Sequence, residues 1–405
     1  MASRMTNQER LNLRRDYAGP AFLKEGFRPL FLGAGLWAAL SVPLWAGVWS
    51  GLIAYGGTLD PLYWHIHEMI YGFVCAAIGG FVLTAVPNWT GRLPVRGLPL
   101  AALALLWLLG RIAMWFGESL GTPVVAVIDL SYLTVLFLFV ANEIFAGRNW
   151  RNLPVLVGIG LLLAGNALFH LDAMEVVSAG DLAVRLSISV VLMMIALIGG
   201  RIVPSFTRNW LARNDGPEIV GPMQRLDIFT LLATVVALLY WIATPDRVGV
   251  GTLLIVAGAL NLTRLGRWKG IHTVGEPLLG VLHLAYFWLG TGLILLGVAK
   301  SGVAITESAG LHALTIGAMG TMVLAVMTRA SLGHTGRPLS AGPATCTIYG
   351  LVTLAVSMRI AFEFWMTVDL IWVAAFSWCA AFVLFVAVYG PMLMGRRPKD
   401  AAEST

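Results

Sequence analysis

The sequence predicts an all-α polytopic membrane protein of about twelve transmembrane helices, arranged as three pseudo-repeats of four. Three observations carry this expectation. Only 12% of the 405 residues are charged against 58% hydrophobic, about half the charged share of a soluble domain. Apolar stretches close to the ~20 residues that cross a hydrocarbon layer of about 30 Å recur along the whole chain. Motifs from the second stretch return at fixed displacements. A mean hydropathy of +0.81 excludes a soluble enzyme, a nucleic-acid-binding module and a disordered protein. Cys75, Cys346 and Cys379 lie far apart in apolar runs. No CxxC or CxxCH pattern is left for zinc, an iron–sulfur cluster or covalently attached haem.

Taken in order, each span is an apolar run, and alternate connections are basic. Residues 1–28 form a polar arm carrying Arg4, Arg10, Arg14, Arg15, Lys24 and Arg28. Without an apolar core, the arm is not expected to be a cleaved signal peptide. The first span runs near 30–54; the second, 66–88, leaves through Arg92 and Arg96. The third and fourth, 98–117 and 123–146, lead to Arg148 and Arg151. The fifth and sixth, 152–173 and 183–204, lead to Arg201, Arg208, Arg213 and Arg225. The seventh, 224–244, and a short eighth, 249–264, lead to Arg264, Arg267 and Lys269. The ninth and tenth, 276–299 and 307–329, lead to Arg329 and Arg337. The eleventh and twelfth, 345–366 and 369–394, end at a tail, 396–405, with Arg396, Arg397 and Lys399.

This reading puts 22 of the 27 Lys and Arg residues on one side. Basic connections stay in the cytoplasm, so both termini are expected there, with residues 29–395 as one transmembrane domain. The net charge of +6 is then a topology signal. The partner it implies is the lipid bilayer, and no nucleic acid is expected.

The second span and its exit read His67-Glu68-Met69, Gly72 and Thr90-Gly91-Arg92. The tenth reads His312-Ala313-Leu314, Gly317 and Thr335-Gly336-Arg337, a displacement of 245. The sixth ends Val203-Pro204-Ser205-Phe206-Thr207, which overlays Val86-Pro87-Asn88-Trp89-Thr90 at a displacement of 117. Spans two, six and ten are four apart, as three four-helix modules require. Glycine-rich apolar helices also align by chance, so the pattern needs a structural test. Functional sites in membrane folds often lie where repeats meet.

Ionisable groups inside lipid are costly and default to functional candidates. His65 and His67 open span two, His170 closes span five and His312 lies early in span ten, all on the non-cytoplasmic side by the topology above. Four imidazoles from three spans thus share one layer. Imidazole suits haem iron and copper. At about 100° per residue, His65 and His67 point roughly 200° apart, so they serve two centres, or one supports the other. Glu68, Asp60, Asp129, Arg111, Glu307, Arg359 and Glu363 share this half of the membrane, arginines suiting haem propionates and carboxylates suiting proton transfer. Trp64 flanks His65 as a haem neighbour, while most tryptophans read as interfacial belt. His283, inside span nine near the cytoplasmic face, is a ligand or a packing group. His272 and His334 read as solvated loop residues, and Glu143 as a snorkelling or paired carboxylate.

Trp64-His65-Ile66-His67-Glu68-Met69 together with the run from Leu83 to Arg92, Leu-Thr-Ala-Val-Pro-Asn-Trp-Thr-Gly-Arg, resembles the NnrS family. The likeness continues through Gly200-Arg201-Ile202-Val203-Pro204, Glu276-Pro277-Leu278-Leu279 with His283, and His312-Ala313-Leu314-Thr315 to Gly336-Arg337, from residue 25 to about 395. It implies a multi-pass protein of the bacterial inner membrane containing haem and copper, produced with denitrification and protective against nitric oxide and nitrosative stress.

The architecture also resembles that of haem-copper oxidases and respiratory nitric-oxide reductases: twelve helices, cytoplasmic termini and haem-ligand histidines on helices two and ten. By that likeness His67 and His312 would be axial ligands. Those families also place metal ligands on helices six and seven, and residues 183–244 contain no histidine. A second metal would have to use His65, His170 or His283. Fold-level likeness carries limited weight for function.

The reading that follows is a membrane oxidoreductase with one or two b-type haems, and copper as a second metal. It would reduce nitric oxide to nitrous oxide with electrons from quinol or a periplasmic cytochrome. Glu68 is the expected proton-transfer residue, or a group that orients a ligand histidine. Haem-binding candidates are His65, His67, His170, His283, His312, Trp64, Arg111 and Arg359. Two alternatives stand beside it: a non-catalytic haem or copper protein that binds or senses nitric oxide or relays electrons, and a transporter of a metal or an anion.

Overall fold

The computed structural model describes residues 17–219, 221, 223–303 and 305–396. Arg4, Arg10, Arg14 and Arg15 of the arm, and Arg397 and Lys399 of the tail, lie outside the described residues. Among those described there are helices and no strand. Eleven helices are long and apolar enough to span a membrane, and Val250–Gly266 is a shorter apolar one. In chain order they are α1 (Phe27–Trp49), α2 (Pro61–Pro87), α3 (Leu98–Trp115), α4 (Thr122–Ala146), α5 (Trp150–Ala173) and α6 (Gly180–Leu211). They continue as α7 (Arg225–Ala243), α8 (Val250–Gly266), α9 (Pro277–Lys300), α10 (Glu307–His334), α11 (Pro343–Trp365) and α12 (Val368–Met394). The polytopic all-α expectation holds, and each sequence-expected span falls on one of these helices.

Two boundaries differ from expectation for local reasons. α2 starts earlier, because the Asp60 side chain accepts the Leu62 amide at 2.9 Å and Pro61 fits the first helical turn. His65 and His67 therefore sit inside the helix. α6 runs past Pro204 to Leu211, the Gly200 carbonyl that Pro204 cannot serve accepting from Arg264 Nη2 at 3.5 Å.

The helices are layered around three inner ones. α2, α6 and α10 touch one another at the centre, and the other spans close around them, α12 returning to α1. The buried Arg28 guanidinium fixes that closure, donating to the Leu393 and Gly395 carbonyls at 3.0 and 2.7 Å. More of α2, α6 and α10 is buried than of any other span.

Each inner helix also contains a π-helical segment: Glu68–Val74 in α2, Ile195–Gly199 in α6 and Ala313–Gly320 in α10. Those of α2 and α10 begin directly after His67 and His312, positions related by the 245-residue displacement. A π turn breaks the regular ladder and leaves carbonyls to be satisfied from outside. In α2, Trp107 Nε1 donates to the Gly72 carbonyl at 2.8 Å. In α6, Arg264 from α8 donates to the Ala196 carbonyl at 2.9 Å. Arg264 is fully buried and also holds Asp227 at 2.6 Å and the Tyr286 hydroxyl at 2.9 Å.

α8 compensates for its shortness by packing backbone against backbone. A Cβ on Gly258 would lie 2.5 Å from the Gly290 carbonyl of α9, and one on Gly251 would lie 2.5 Å from that of Gly297. Small residues permit such approaches between membrane helices. Gly258→Leu must push α8 off α9 and is expected to cost about 1–3 kcal/mol. A lowered unfolding temperature in detergent is the readout; an unchanged one contradicts the packing described.

Candidate functional site

The π segment that opens at Glu68 presents His67 and Glu68 to α3, α4 and α5. His67 Nδ1 lies 3.0 Å from Glu68 Oε1, and His67 Nε2 lies 2.8 Å from Asn166 Oδ1 and 3.2 Å from Asp129 Oδ2. Arg111 Nη1 donates to Glu68 Oε1 at 2.6 Å, and its Nη2 to Asp129 Oδ1. Asn166 Nδ2 donates to Asp129 Oδ2 at 2.8 Å, and His170 Nε2 donates to the same oxygen at 3.0 Å. None of these six side chains is more than 3% exposed.

Charge and hydrogen bonding in this cluster are mutually consistent. Both ring nitrogens of His67 face acceptor oxygens, which a doubly protonated imidazolium satisfies. With Arg111 it balances the carboxylates of Glu68 and Asp129, so the cluster carries no net charge into the apolar interior, where unpaired charge is prohibitive. Two acceptor atoms remain without a partner, Glu68 Oε2 and His170 Nδ1. A lone-pair nitrogen and a carboxylate oxygen left bare in hydrocarbon are sites for a proton or a metal ion.

His67, Asp129 and His170 each offer one ligand atom, all within 4.8 Å of one another. Two imidazoles and a carboxylate suit iron, copper or zinc. Metal binding here would displace the proton that His67 holds, as metal binding to imidazole does in general.

A second centre faces the other way from the same helix. The His65 ring stacks on Trp45 of α1, centroids 5.0 Å apart and planes 17° apart, and its Nδ1 is buried with no partner. His312 lies within electrostatic reach of His65. Its Nδ1 donates to the Ser308 carbonyl at 2.8 Å, leaving Nε2 as the lone-pair nitrogen. That is how ligand imidazoles are oriented in metalloproteins. Arg359 donates to Ser308 Oγ and pairs with Glu363 at 3.4 Å.

The histidines expected in one layer thus divide into two groups. His67 and His170 meet across α2 and α5, their ring centroids 5.7 Å apart, whereas His65 on α2 and His312 on α10 lie outside that cluster, each with its own partners. The partners of His67 come from α2 to α5, not from α10. Trp64 packs edge-on to Trp115, centroids 5.1 Å apart, and the ring beside His65 is Trp45. His283 joins neither group: its Nε2 donates to Thr207 Oγ1 at 2.8 Å, that hydroxyl being committed to the Val203 carbonyl. Glu143 pairs with Arg92 at 2.9 Å.

Asn166, Trp45 and Ser308 were not singled out from sequence. Asn166 was accessible, since it precedes His170 by four residues and shares its helix face. Trp45 carries no such signal.

A family model described as NnrS protein matches residues 21–397. No curated protein matches the chain.

Asp129→Ala removes one partner from a buried ion network and leaves Arg111 and His67 to share the single carboxylate of Glu68, a change that costs about 3–5 kcal/mol. A large fall in unfolding temperature is expected in detergent, whereas Asp246→Ala, at an exposed pair with Lys300, should leave it within a degree or two. Equal effects of the two would contradict the network. His170→Ala is expected to lower the copper or iron retained per chain by elemental analysis; retention of the wild-type content would contradict a ligand role for His170.

Proposed function

The chain belongs to the NnrS family, and from that membership and its two histidine centres we propose a haem-dependent membrane protein that disposes of nitric oxide. Multiple apolar helices make it a multi-pass membrane protein. The bacterial inner membrane, with cytoplasmic termini, is the placement that its basic connections favour.

The observation that carries the proposal is the His65–His312 pair. One ring has a buried nitrogen with no protein partner, and the other is held through Nδ1 by a backbone carbonyl so that Nε2 keeps its lone pair. Each would supply one nitrogen donor from a separate helix to hold a haem iron. We assign the haem to His65 and His312, with Trp45 against the His65 ring and Arg359 as the cation near by. The sequence expectation paired His312 with His67, whose nitrogens are both engaged by oxygens.

The reaction proposed is 2 NO + 2 e⁻ + 2 H⁺ → N₂O + H₂O, the electrons coming from quinol or a periplasmic cytochrome. A haem held by these residues would supply the redox chemistry of the reduction. What the chain contributes is orientation, dryness and protons. Ser308 holds His312 in one tautomer. Glu68 Oε2, unpartnered and buried, is the atom that would take up a proton and pass it on, while Arg111 anchors Oε1 of the same carboxylate. His67, Asp129 and His170 are the donors proposed for the second metal, copper or non-haem iron.

His65→Ala and His312→Ala are each expected to remove most haem absorbance from the purified protein, and His67→Gln to keep it. Full haem with an unaltered spectrum in both alanine variants sinks the assignment. Glu68→Gln should retain haem yet slow nitrous-oxide formation by 10²-fold or more, within the range of lost acid–base catalysis. Stoichiometric gas uptake without turnover in the wild type would move the protein to a binding or sensing role.

A further inference from the structure

The three inner helices, with Phe31 of α1, line an apolar cavity of about 90 Å³. On α2 its lining is Val74, Ala77, Ile78 and Phe81, one face of the helix by spacing. Adding 117 to each number gives lining positions on α6, from Val191 to Ile198. Adding 245 gives lining positions on α10, from Met319 to Val326. All four match in both cases. The displacements read from the Thr-Gly-Arg and Val-Pro motifs therefore map one helix face onto two others around a common centre. The cavity lies on the pseudo-threefold axis of the modules.

Its chemistry narrows the occupant. No lining residue has a charged or hydrogen-bonding side chain. A water molecule needs two to four polar partners and finds none, so the space is dry. A quinol or lipid head group would be equally unpartnered. Met194, Met319, Met322 and Met327 supply adaptable thioether surface.

The cavity is also directional. Val74, Val191 and Met319, at one end, are buried, whereas Phe81, Ile198 and Val326, at the other, are only half-buried. The closed end therefore lies toward the histidines. Val74 ends the π segment that begins after His67, and Met319 lies within the one that begins after His312. The closed end thus abuts the backbone that carries both centres.

We propose that this cavity is a binding chamber for a small, neutral, apolar gas. That the gas is nitric oxide rests on the function proposed above; that the chamber takes an apolar gas does not.

The direct test is xenon, a neutral apolar probe, applied under pressure to crystals of the full-length protein with its bound groups. An anomalous peak among Val74, Val191 and Met319 is expected. Ala77→Phe, which places a ring in the chamber, should abolish that peak, and Leu105→Phe on the exposed face of α3 should keep it. No peak in the wild type, a hydrocarbon chain occupying the space, or a peak unmoved by Ala77→Phe each overturns the chamber. None of these outcomes depends on haem or turnover, so the failure of this proposal leaves the haem reading standing, and the reverse. For delivery, Ala77→Phe should slow nitric-oxide association about tenfold with the haem spectrum unchanged. An unchanged rate would remove the delivery role.

Discussion

Hydrocarbon offers no hydrogen bond, and this constraint organises the polar chemistry of the protein. A polar atom inside the helix bundle must find a partner in the chain or in something the chain binds. Most do. Arg111 is shared between two carboxylates, Asn166 bridges His67 and Asp129, and Arg264 takes a carboxylate, a phenol and a backbone carbonyl. Several indole and hydroxyl groups remain unmet, and among the unmet atoms that can take a proton or a metal ion are ring nitrogens of His65, His170 and His283 and the second oxygen of Glu68. The account of function rests on those of His65, His170 and Glu68, because their cost in lipid is what a bound group would relieve.

The inner helices turn a repeated sequence into three different environments. α2 and α10 enter π-helical form directly after a histidine, and α6 does so with Arg264 at its opened turn. The His67 cluster draws on α2 to α5, the Arg264 cluster on α6 to α9, and His65 and His312 have Trp45 of α1 and Arg359 of α11 in their surroundings. One ancestral plan thus holds an ion network with metal-ligand spacing, a purely protein-satisfied knot and a pair of available imidazoles. The shared apolar faces of the same helices meet at the centre and leave the cavity.

Much of this was legible in the sequence. Twelve apolar runs with basic connections at alternate ends correspond to α1–α12, including the short α8. Both repeat displacements reappear as matching cavity positions, which chance alignment of glycine-rich helices does not produce. The opposed directions of His65 and His67 followed from the helical period. What did not follow was the choice of partner. Depth along a span is readable from sequence, but the azimuth of a side chain depends on which helices pack beside it and on the phase shift of a π turn. For this reason sequence places His67 and His312 at one depth without showing that the partners of His67 come from α3 to α5, and it gives no sign that the ring stacked on His65 is Trp45. Agreement with the NnrS family over residues 21–397 identifies the family and leaves the roles of individual histidines to geometry.

The most direct measurement is anomalous diffraction at the iron absorption edge from the protein as isolated. The account predicts an iron peak bonded to the imidazoles of His65 and His312, with His67 still hydrogen-bonded to Asn166. Iron bonded to His67 and absent from His65, or no iron at either ring in protein that consumes nitric oxide, would contradict it.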